Sequence, residues 1–277
     1  MRCTLLGTGD ALGVPVPLCD CAFCAASDPR RRPGLLVEAA GTTLLIDAPP
    51  DVTPALHEAN VTDLDAVFLT HGHYDHAAGV SELNHARYEH HLLNGDDLGH
   101  DHPVADPFET YVPRSVLQKY ATERPRLVER VGMEVVSPGD PVSVGDLSVT
   151  AFGVEHGEPL FPTLGYVVRG PRSEGPRGDA DPGEAVVGYA PDLNAAPDPG
   201  TVPADGLDLL FVEGSVLGAE LHAEAVELRA GLDRLDADRR VATNVSEHML
   251  RMHTEAVEER GREHGYEVWA DGDAATL

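Results

Sequence analysis

The feature that most constrains this chain is a dense set of metal-binding side chains at residues 70–76, which read T-H-G-H-Y-D-H. The set directly follows the apolar run L-D-A-V-F-L, which has the length of a β-strand. Because residues two apart in an extended backbone point the same way, His71 and His73 project together, and Asp75 and His76 follow where the chain turns. Imidazole and carboxylate groups both bind zinc, manganese or iron. A histidine-rich polar loop is the plainer alternative, but the position at a strand end favours a site for a pair of metal ions.

Two later residues stand just beyond predicted strands, where further ligands are expected. His156 follows a predicted strand at residues 147–154. Asp192 follows a predicted strand at residues 185–189, which is expected to pair with residues 164–169. A single His or Asp in such a place would more often be a surface or turn residue. The order of the two residues after the first motif favours His156 as a ligand and Asp192 as a carboxylate that bridges two ions.

A second cluster is formed by Cys19, Cys21 and Cys24, in the spacing C-x-C-x-x-C. In a reducing compartment this spacing favours a metal site over disulfides. Three thiolates need one further ligand to complete a tetrahedral zinc site, and either Cys3 or a distant His could supply it. The alternative is a set of buried thiols without a metal.

The charge of the chain limits its partners. Its 277 residues carry 47 acidic and 20 basic side chains, a formal net charge of −27, and Lys119 is the only lysine. Few lysines and many acids favour a halophilic protein from a high-salt cytoplasm, where screening reaches only about 3 Å at 1 M salt. The same charge argues against broad binding to nucleic acid or to an anionic membrane. It permits a small phosphate ester as substrate, because metal ions can dominate the local field.

The start of the chain and its hydropathy predict a soluble, cytoplasmic protein. The opening residues, M-R-C-T-L-L, form too short a run for a signal peptide. No apolar run reaches the ~18 residues of a membrane helix. We therefore expect one domain over residues 1–277 with no membrane partner, and the sequence leaves a homodimer open.

Several local patterns predict elements around the clusters. A hairpin is expected to turn near Gly41, and its second strand ends at Asp47. Asp47 could orient a metal ligand or could cap a loop, and the sequence weighs these two roles equally. Residues 80–105 hold five further histidines and predict a solvated acidic insert rather than an extra metal site. A helix is predicted at residues 115–120. His222 opens another predicted helix, where it could donate a proton to a leaving group or lie in solvent.

The motif H-x-H-x-D-H after a hydrophobic strand resembles that of the metallo-β-lactamase-fold hydrolases. The opening residues, L-L-G-T-G…G-V-P…C-D-C…C, narrow the resemblance to the branch that contains phosphoribosyl cyclic phosphodiesterase and a pyrroloquinoline-quinone biosynthesis protein. The similarity spans essentially the whole chain. It implies an α/β fold, a four-layer αββα sandwich with the site at one edge.

The resemblance also implies which residues hold metal ions. One ion would lie among three imidazoles, and a second would be held by Asp75, His76 and a late His, with Asp192 as the bridge. The cysteines would hold a structural zinc ion with another late His, and His222 resembles the family's candidate proton donor. The residues implied for the first ion are His71, His73 and His156, and those for the structural zinc are Cys19, Cys21 and Cys24.

The chain departs from the family pattern after its last predicted core strand. The family shows T-H-x-x-H there, whereas this chain reads T-N-V-S-E-H from Thr243 to His248. Counting from the strand puts Asn244 in the first-His position and sends His248 to the cysteines. Counting back from the helix cap Thr254 puts His248 at the active site and makes His253 the structural-zinc ligand. Because a carboxamide is a much weaker ligand than imidazole, we predict the second arrangement.

These residues predict a hydrolase with two divalent ions, Zn²⁺ or Mn²⁺, at its active site and a structural Zn²⁺ at the cysteines. The favoured reaction is hydrolysis of a small phosphate diester, cyclic diesters included, by a metal-bridging hydroxide. Asp75 would orient the nucleophile, and His222 would protonate the leaving oxygen. The same site could instead hydrolyse a thioester, a lactone or another acyl ester. The acidic charge weighs against transfer-RNA 3′ processing, and a non-catalytic metal- or cofactor-binding protein is the remaining alternative.

Overall fold

The computed structural model describes residues 1–85, 108–157, 161–173, 183–218 and 224–277, and within these ranges the strands form two sheets. In order across the first sheet, the strands are β14 (Ala274–Thr276), β1 (Arg2–Gly7), β2 (Gly34–Ala39), β3 (Thr42–Ile46), β4 (Ala66–Phe68), β5 (Glu109–Val112) and β6 (Met133–Val135). In order across the second sheet, they are β13 (Glu267–Val268), β12 (Arg240–Thr243), β11 (Leu209–Glu213), β10 (Glu184–Ala190), β9 (Thr163–Pro171), β8 (Leu147–Val154) and β7 (Pro141–Val144).

Helices flank both sheets. In chain order within the described ranges, they are α1 (Ala22–Ala26), α2 (Val52–Glu58), α3 (Tyr74–Ala77), α4 (Arg114–Glu123), α5 (Pro125–Arg130), α6 (Ala225–Leu232), α7 (Glu247–Leu250) and α8 (Thr254–Glu263). Short 3-10 turns occupy Pro199–Thr201 and Gly214–Leu217. The helix predicted at residues 115–120 is confirmed as part of α4. Among the residues described, no helix is both long and apolar enough to cross a lipid bilayer.

Three buried clusters define the layers. The largest lies between the two sheets and joins Leu5 of the first sheet to Tyr166 of the second. A second cluster packs α2 and α4 on the outer face of the first sheet, with Leu56 among its members. The third packs α6 and α8 on the outer face of the second sheet through Leu228 and Val257. The order helix, sheet, sheet, helix confirms the predicted αββα sandwich.

The predicted hairpin between β2 and β3 is confirmed. Ala39 pairs with Thr42, so the turn consists of Ala40 and Gly41 alone. Both turn residues have positive φ, 49° for Ala40 and 81° for Gly41. Two left-handed residues in succession match the twist of the flanking strands, and Gly adopts this conformation without a steric penalty.

The directions of the strands place the predicted ligands at one edge. In the first sheet, β3 and β4 are parallel. In the second, β9 is antiparallel to both β8 and β10, so β8 and β10 run the same way, and β11 and β12 run parallel to β10. The predicted pairing of residues 164–169 with 185–189 is confirmed, with Val168 opposite Val187. Loops after parallel strands meet at a common edge, which is where α/β folds build their sites.

Two predicted features lie outside the described residues. His222, the expected proton donor, falls between the ranges 183–218 and 224–277. Most of the histidine-rich insert predicted at residues 80–105 falls between the ranges 1–85 and 108–157.

Candidate metal centres

Three imidazoles meet at the edge of the sandwich, as predicted. His71 follows β4, His73 directly precedes α3, and His156 follows β8. Nε2 of His71 lies 2.9 Å from Nδ1 of His73, and Nε2 of His156 lies 3.3 Å from the same atom. One ligand atom from each of the three lies within 4.8 Å of the others. Three neutral imidazoles at this spacing are a donor set that zinc prefers.

A second group of ligand atoms adjoins the first. His76 and Asp192 join His71 in a set whose ligand atoms lie within 4.8 Å of one another. Oδ2 of Asp192 is 3.5 Å from Nε2 of His71 and 2.7 Å from Nε2 of His76. Oδ2 of Asp75 is 3.1 Å from the same atom of His76. Asp192 therefore lies between the two groups, which is the position expected of a bridging carboxylate.

Asp47 fixes the orientation of His76. Nδ1 of His76 lies 2.7 Å from Oδ2 of Asp47, and both side chains are fully buried. The carboxylate also accepts hydrogen bonds from the backbone N–H of Thr70 at 2.8 Å and from its hydroxyl at 3.0 Å. Of the two roles weighed from the sequence, this geometry matches the orienting one. Such a partner sets the tautomer of a metal-binding histidine and leaves its other nitrogen free to coordinate.

The chemistry of this group calls for a cation. With Nδ1 held by Asp47, the neutral imidazole of His76 presents a lone pair at Nε2. The atoms nearest to it are carboxylate oxygens of Asp75 and Asp192, which are also lone-pair donors. Burial lowers the pKa of His76, but the carboxylates of Asp192 and Asp47 outweigh burial and raise it well above its usual value, so this pocket favours a positive charge at Nε2, either a proton or a metal ion. A divalent ion satisfies all of these donors at once, so the residues fit a metal.

The neighbouring groups have protonation states suited to coordination. Burial, followed by the nearby His76, holds the pKa of His71 well below its usual value, so its imidazole is neutral. Burial raises the pKa of Asp192, but the charge and the hydrogen bond of the adjacent His76 outweigh it and hold that pKa well below the usual range. Metal ligands must be deprotonated, and both side chains meet that condition.

The cysteines form a second, separate centre. The Sγ atoms of Cys19, Cys21 and Cys24 lie 3.5, 3.4 and 3.4 Å from Nδ1 of His248. Cys21 directly precedes α1, and its sulfur accepts a hydrogen bond from the backbone N–H of Cys24. This hydrogen bond, with His248, lowers the pKa of Cys21 to about 6, while burial raises the pKa of Cys24 to about 11. Three sulfurs and one imidazole make a closed tetrahedral donor set, which is typical of structural zinc.

The placement of His248 corrects the sequence prediction. His248 was expected to complete the second ion at the active site, and His253 was expected to join the cysteines. Instead His248 lies with the cysteines, and the ring of His253 packs against Phe23 at 5.2 Å. Asn244 is the residue that lies at the active-site edge, where its Nδ2 donates to Oδ1 of Asp192 at 2.6 Å.

The correction has a local physical cause. Asn244 directly follows β12 and has a φ of 56°, so the chain turns sharply as soon as the strand ends. Ser246 then begins α7 as its N-cap, and its hydroxyl accepts the backbone N–H of Met249. This turn directs Asn244 towards Asp192 and carries His248 away to the cysteines. Counting from the strand would have found the arrangement, because Asn is one of the few residues that favour positive φ.

A buried ion pair that the sequence did not predict holds the same segment. Nε of Arg30 donates to Oε1 of Glu247 at 2.8 Å, and the two side chains are 5% and 0% exposed. Nη1 of Arg30 also donates to the hydroxyl of Thr8 and to the backbone carbonyl of Trp269. Glu247 stands between Asn244 and His248, so this pair anchors the link between the two centres.

A cavity of about 360 Å³ opens beside His73. Lys119 and Phe161 are among the residues that line it. Nζ of Lys119 donates to the backbone carbonyl of Gly72 at 2.8 Å, and the ring of Phe161 lies 4.8 Å from that of His73. The sequence identified Lys119 as the single lysine and put it on the helix predicted at residues 115–120, but did not connect it with the metal site. Its rarity in an acidic chain was the signal that could have done so.

Comparison with known proteins relates the chain to one family. Residues 42–257 match a family described as the beta-lactamase superfamily domain. An octanoyltransferase of Porphyromonas gingivalis is 35% identical over 173 residues, which cover 61% of this chain and 33% of the relative. A ribonuclease Z of Methanopyrus kandleri is 38% identical over 158 residues, which cover 56% of this chain and 49% of the relative. The chain thus spans about a third and about half of the lengths of these two relatives. Coenzyme PQQ synthesis protein B of Methylobacterium nodulans is 28% identical over 256 residues, which cover 84% of this chain and 77% of the relative.

Solved structures share the fold over the full chain. A diphosphatase from the PhnP family superimposes with a TM-score of 0.73 at 22% identity, covering 100% of this chain and 98% of that one. Zn²⁺-bound PqqB from Methylobacterium extorquens superimposes with a TM-score of 0.73 at 17% identity, covering 100% of both chains. At identities this low, the superpositions establish a common fold and nothing further.

Proposed function

Since this chain belongs to the beta-lactamase superfamily and has a metallo-β-lactamase fold, we propose that it is a hydrolase whose substrate is a small phosphate diester, cyclic diesters included. The observation that carries the proposal is the position of Asp192 between the two imidazole groups, 3.5 Å from Nε2 of His71 and 2.7 Å from Nε2 of His76. A carboxylate there can hold two ions close together. Paired ions are suited to displacement at phosphorus, because they stabilise both the attacking and the leaving oxygen.

The ligand atoms fit divalent ions at both positions. The first ion would be held by His71, His73 and His156, and the second by His76 and Asp75, with Asp192 shared. Bound there, the ions supply the Lewis acidity that makes water a nucleophile near neutral pH. A structural Zn²⁺ would lie among the cysteines and His248. The Zn²⁺-bound state of the PqqB neighbour supports zinc as one of the ions.

Asp75 is placed to orient the attacking water. Burial raises its pKa, but the hydrogen bond and the charge of His76 outweigh burial and lower it, so the carboxylate is ionised. An ionised carboxylate accepts a hydrogen bond from water and can hold the water in line with phosphorus. The oxygen of water then bonds to phosphorus, and the bond to the leaving oxygen breaks. The proton lost by water balances the one gained by the leaving oxygen, for which His222 remains our proposed donor.

The cavity beside His73 supports an anionic substrate. The chain carries a formal net charge of −27, yet its single lysine lines this cavity. An ammonium group attracts a phosphate oxygen as a point charge. Phe161 offers an apolar wall for the organic part of a diester. The ribonuclease Z relative also supports cleavage of a phosphate ester bond.

Hydrolysis of an acyl ester or thioester is the second candidate. The match to an octanoyltransferase favours it, although the chain covers only 33% of that relative. Water activated at a metal site can attack carbonyl carbon as well as phosphorus.

We also propose a high-salt cytoplasmic setting for the protein. The support for this setting is the formal net charge of −27.

Turnover of defined substrates tests the proposal. The purified protein is loaded with Zn²⁺ or Mn²⁺ in high salt and offered bis(p-nitrophenyl) phosphate, a cyclic phosphate diester, a thioester and precursor transfer RNA. We expect hydrolysis of the two small diesters, with near-complete loss in His73→Ala. His57→Ala is the matched control, because His57 is an exposed histidine on α2 and should leave turnover intact. Turnover of the thioester alone, or of no substrate with metal bound, would overturn the phosphodiesterase.

A further inference from the structure

The side chain of Asn244 is held so that its NH₂ group donates a hydrogen bond to a metal-binding residue and does not coordinate an ion. Its Nδ2 lies 2.9 Å from the backbone carbonyl of Pro191 and 2.6 Å from Oδ1 of Asp192. A carbonyl oxygen can only accept a hydrogen bond, so the contact with Pro191 fixes which end of the amide is the NH₂ group. The other hydrogen of that NH₂ group is then directed at Asp192. The arrangement makes Asn244 a hydrogen-bond donor to Asp192, the carboxylate that would be shared by the two ions.

The remaining oxygen of Asn244 is a weaker ligand for zinc than an imidazole nitrogen would be. Asn244 is 6% exposed, and its Oδ1 forms no hydrogen bond in the described part of the chain. This oxygen is a neutral carbonyl, which is the kind of ligand that suits hard ions such as Mg²⁺, Ca²⁺ and Mn²⁺. It contributes no negative charge and no imidazole nitrogen.

The two positions therefore have different donor sets. The first is built from three imidazoles, those of His71, His73 and His156. The second has one imidazole, that of His76, and its other donors are carboxylate oxygens of Asp75 and Asp192. Nitrogen-rich sites favour Zn²⁺, whereas oxygen-rich sites favour Mn²⁺ and Mg²⁺. The hydrogen bond from Asn244 to Asp192 orients the shared carboxylate.

We propose that the active site binds its two ions unequally, with Zn²⁺ held tightly among the three imidazoles and a harder ion, Mn²⁺ or Mg²⁺, held loosely and exchangeably by His76, Asp75 and Asp192. This inference rests on the dinuclear site proposed above. Turnover would then depend on the supply of the harder ion, because the site is complete only while that ion is bound.

Metal counting on the full-length protein tests the inference without a substrate. Protein saturated with Zn²⁺ is passed through metal-free buffer, and zinc per chain is measured by mass spectrometry. We expect wild type to retain two zinc ions, one at the cysteines and one at the three imidazoles. Mn²⁺ added afterwards should bind once per chain by calorimetry. His76→Ala should abolish this Mn²⁺ binding and keep both zinc ions, whereas His73→Ala should lose one zinc.

Substitutions of Asn244 provide the sharper comparison. Asn244→His adds an imidazole at a left-handed position, which His tolerates, and should raise the retained zinc from two ions to three. Asn244→Ala should weaken Mn²⁺ binding roughly 10-fold through loss of the hydrogen bond to Asp192. Asn60→Ala is the matched control, because Asn60 has a φ of 57° against 56° for Asn244 and its side chain is exposed.

The results separate this inference from the proposed function. Retention of three zinc ions by wild type, or unchanged Mn²⁺ binding in both His76→Ala and Asn244→Ala, would overturn the unequal positions even if diesters are hydrolysed. Unequal binding without turnover of any diester would leave the inference standing and overturn the phosphodiesterase.

Discussion

Nδ1 of His76 lies 2.7 Å from Oδ2 of Asp47, and neither side chain has any exposed surface. Asp47 also accepts two hydrogen bonds from Thr70, the residue just before His71. The carboxylate of Asp47 therefore orients His76, a ligand of the second metal position, and also holds the start of the ligand motif at Thr70.

Asp47→Ala is expected to weaken binding of the second ion by roughly 10- to 100-fold, the usual effect of removing such an orienting partner. The imidazole of His76 would lose its fixed tautomer and orientation. Calorimetry with Mn²⁺ measures the effect. Asp65→Ala is the control, because Asp65 is an exposed aspartate that accepts the backbone N–H of Thr43. Equal Mn²⁺ affinity in the two variants would remove the orienting role.

Cys21→Ser is expected to release one zinc ion per chain, because the tetrahedral donor set loses a thiolate. A site filled at 1,000 times its Kd stabilises the fold by about 4 kcal/mol, and the variant should lose an amount of that order. Zinc counting and chemical denaturation measure both effects. Cys3→Ala is the matched control, because Cys3 is a fully buried thiol of the core. Unchanged zinc content in Cys21→Ser would exclude the structural site.

Lys119→Met is expected to lower kcat/KM for an anionic diester about tenfold or more, mainly by raising KM. A hydrogen bond to a charged group contributes about 1.5–3 kcal/mol, and Lys119 is proposed to make one with the substrate. Lys119→Arg should restore part of the loss. Arg126→Met removes an exposed positive charge on α5 and should leave KM unchanged. Equal kinetic effects of the two methionine variants would reduce Lys119 to a general surface charge.

Salt is expected to stabilise the protein. A net charge of −27 repels itself, and the Debye length falls from about 10 Å at 0.1 M salt to about 3 Å at 1 M. Between 0.1 and 2 M KCl the melting temperature should rise by about 5 °C, which corresponds to roughly 2 kcal/mol. Thermal unfolding at matched osmolality in a neutral osmolyte is the control. A melting temperature that is flat or falls with KCl would contradict a high-salt setting.

The first metal position could be predicted from the sequence because its ligands follow local patterns. His71 and His73 are two apart at a strand end, and His156 follows a strand that runs towards the same edge. Such residues converge once the strand directions are set. Family resemblance supplied the layers, and local hydrophobicity supplied the strands.

The sequence misplaced His248 because the deciding quantity was one backbone angle. The positive φ of Asn244 turns the chain directly after β12. The donor strength of imidazole over carboxamide favoured the wrong residue, since ligand strength says nothing about where a turn directs a side chain. Contacts between distant segments, such as Arg30 with Glu247, had no local pattern to reveal them.

Asn244 and His248 lie on one short segment that serves two metal centres, with Glu247 anchored between them by Arg30. A length change in that segment cannot be absorbed by one centre alone. Deleting Val245 would displace the donor to Asp192, the zinc-binding imidazole or both. A change in the position of one centre therefore requires a change in the other. The active-site edge cannot be redesigned in this segment without also adjusting the cysteine cluster.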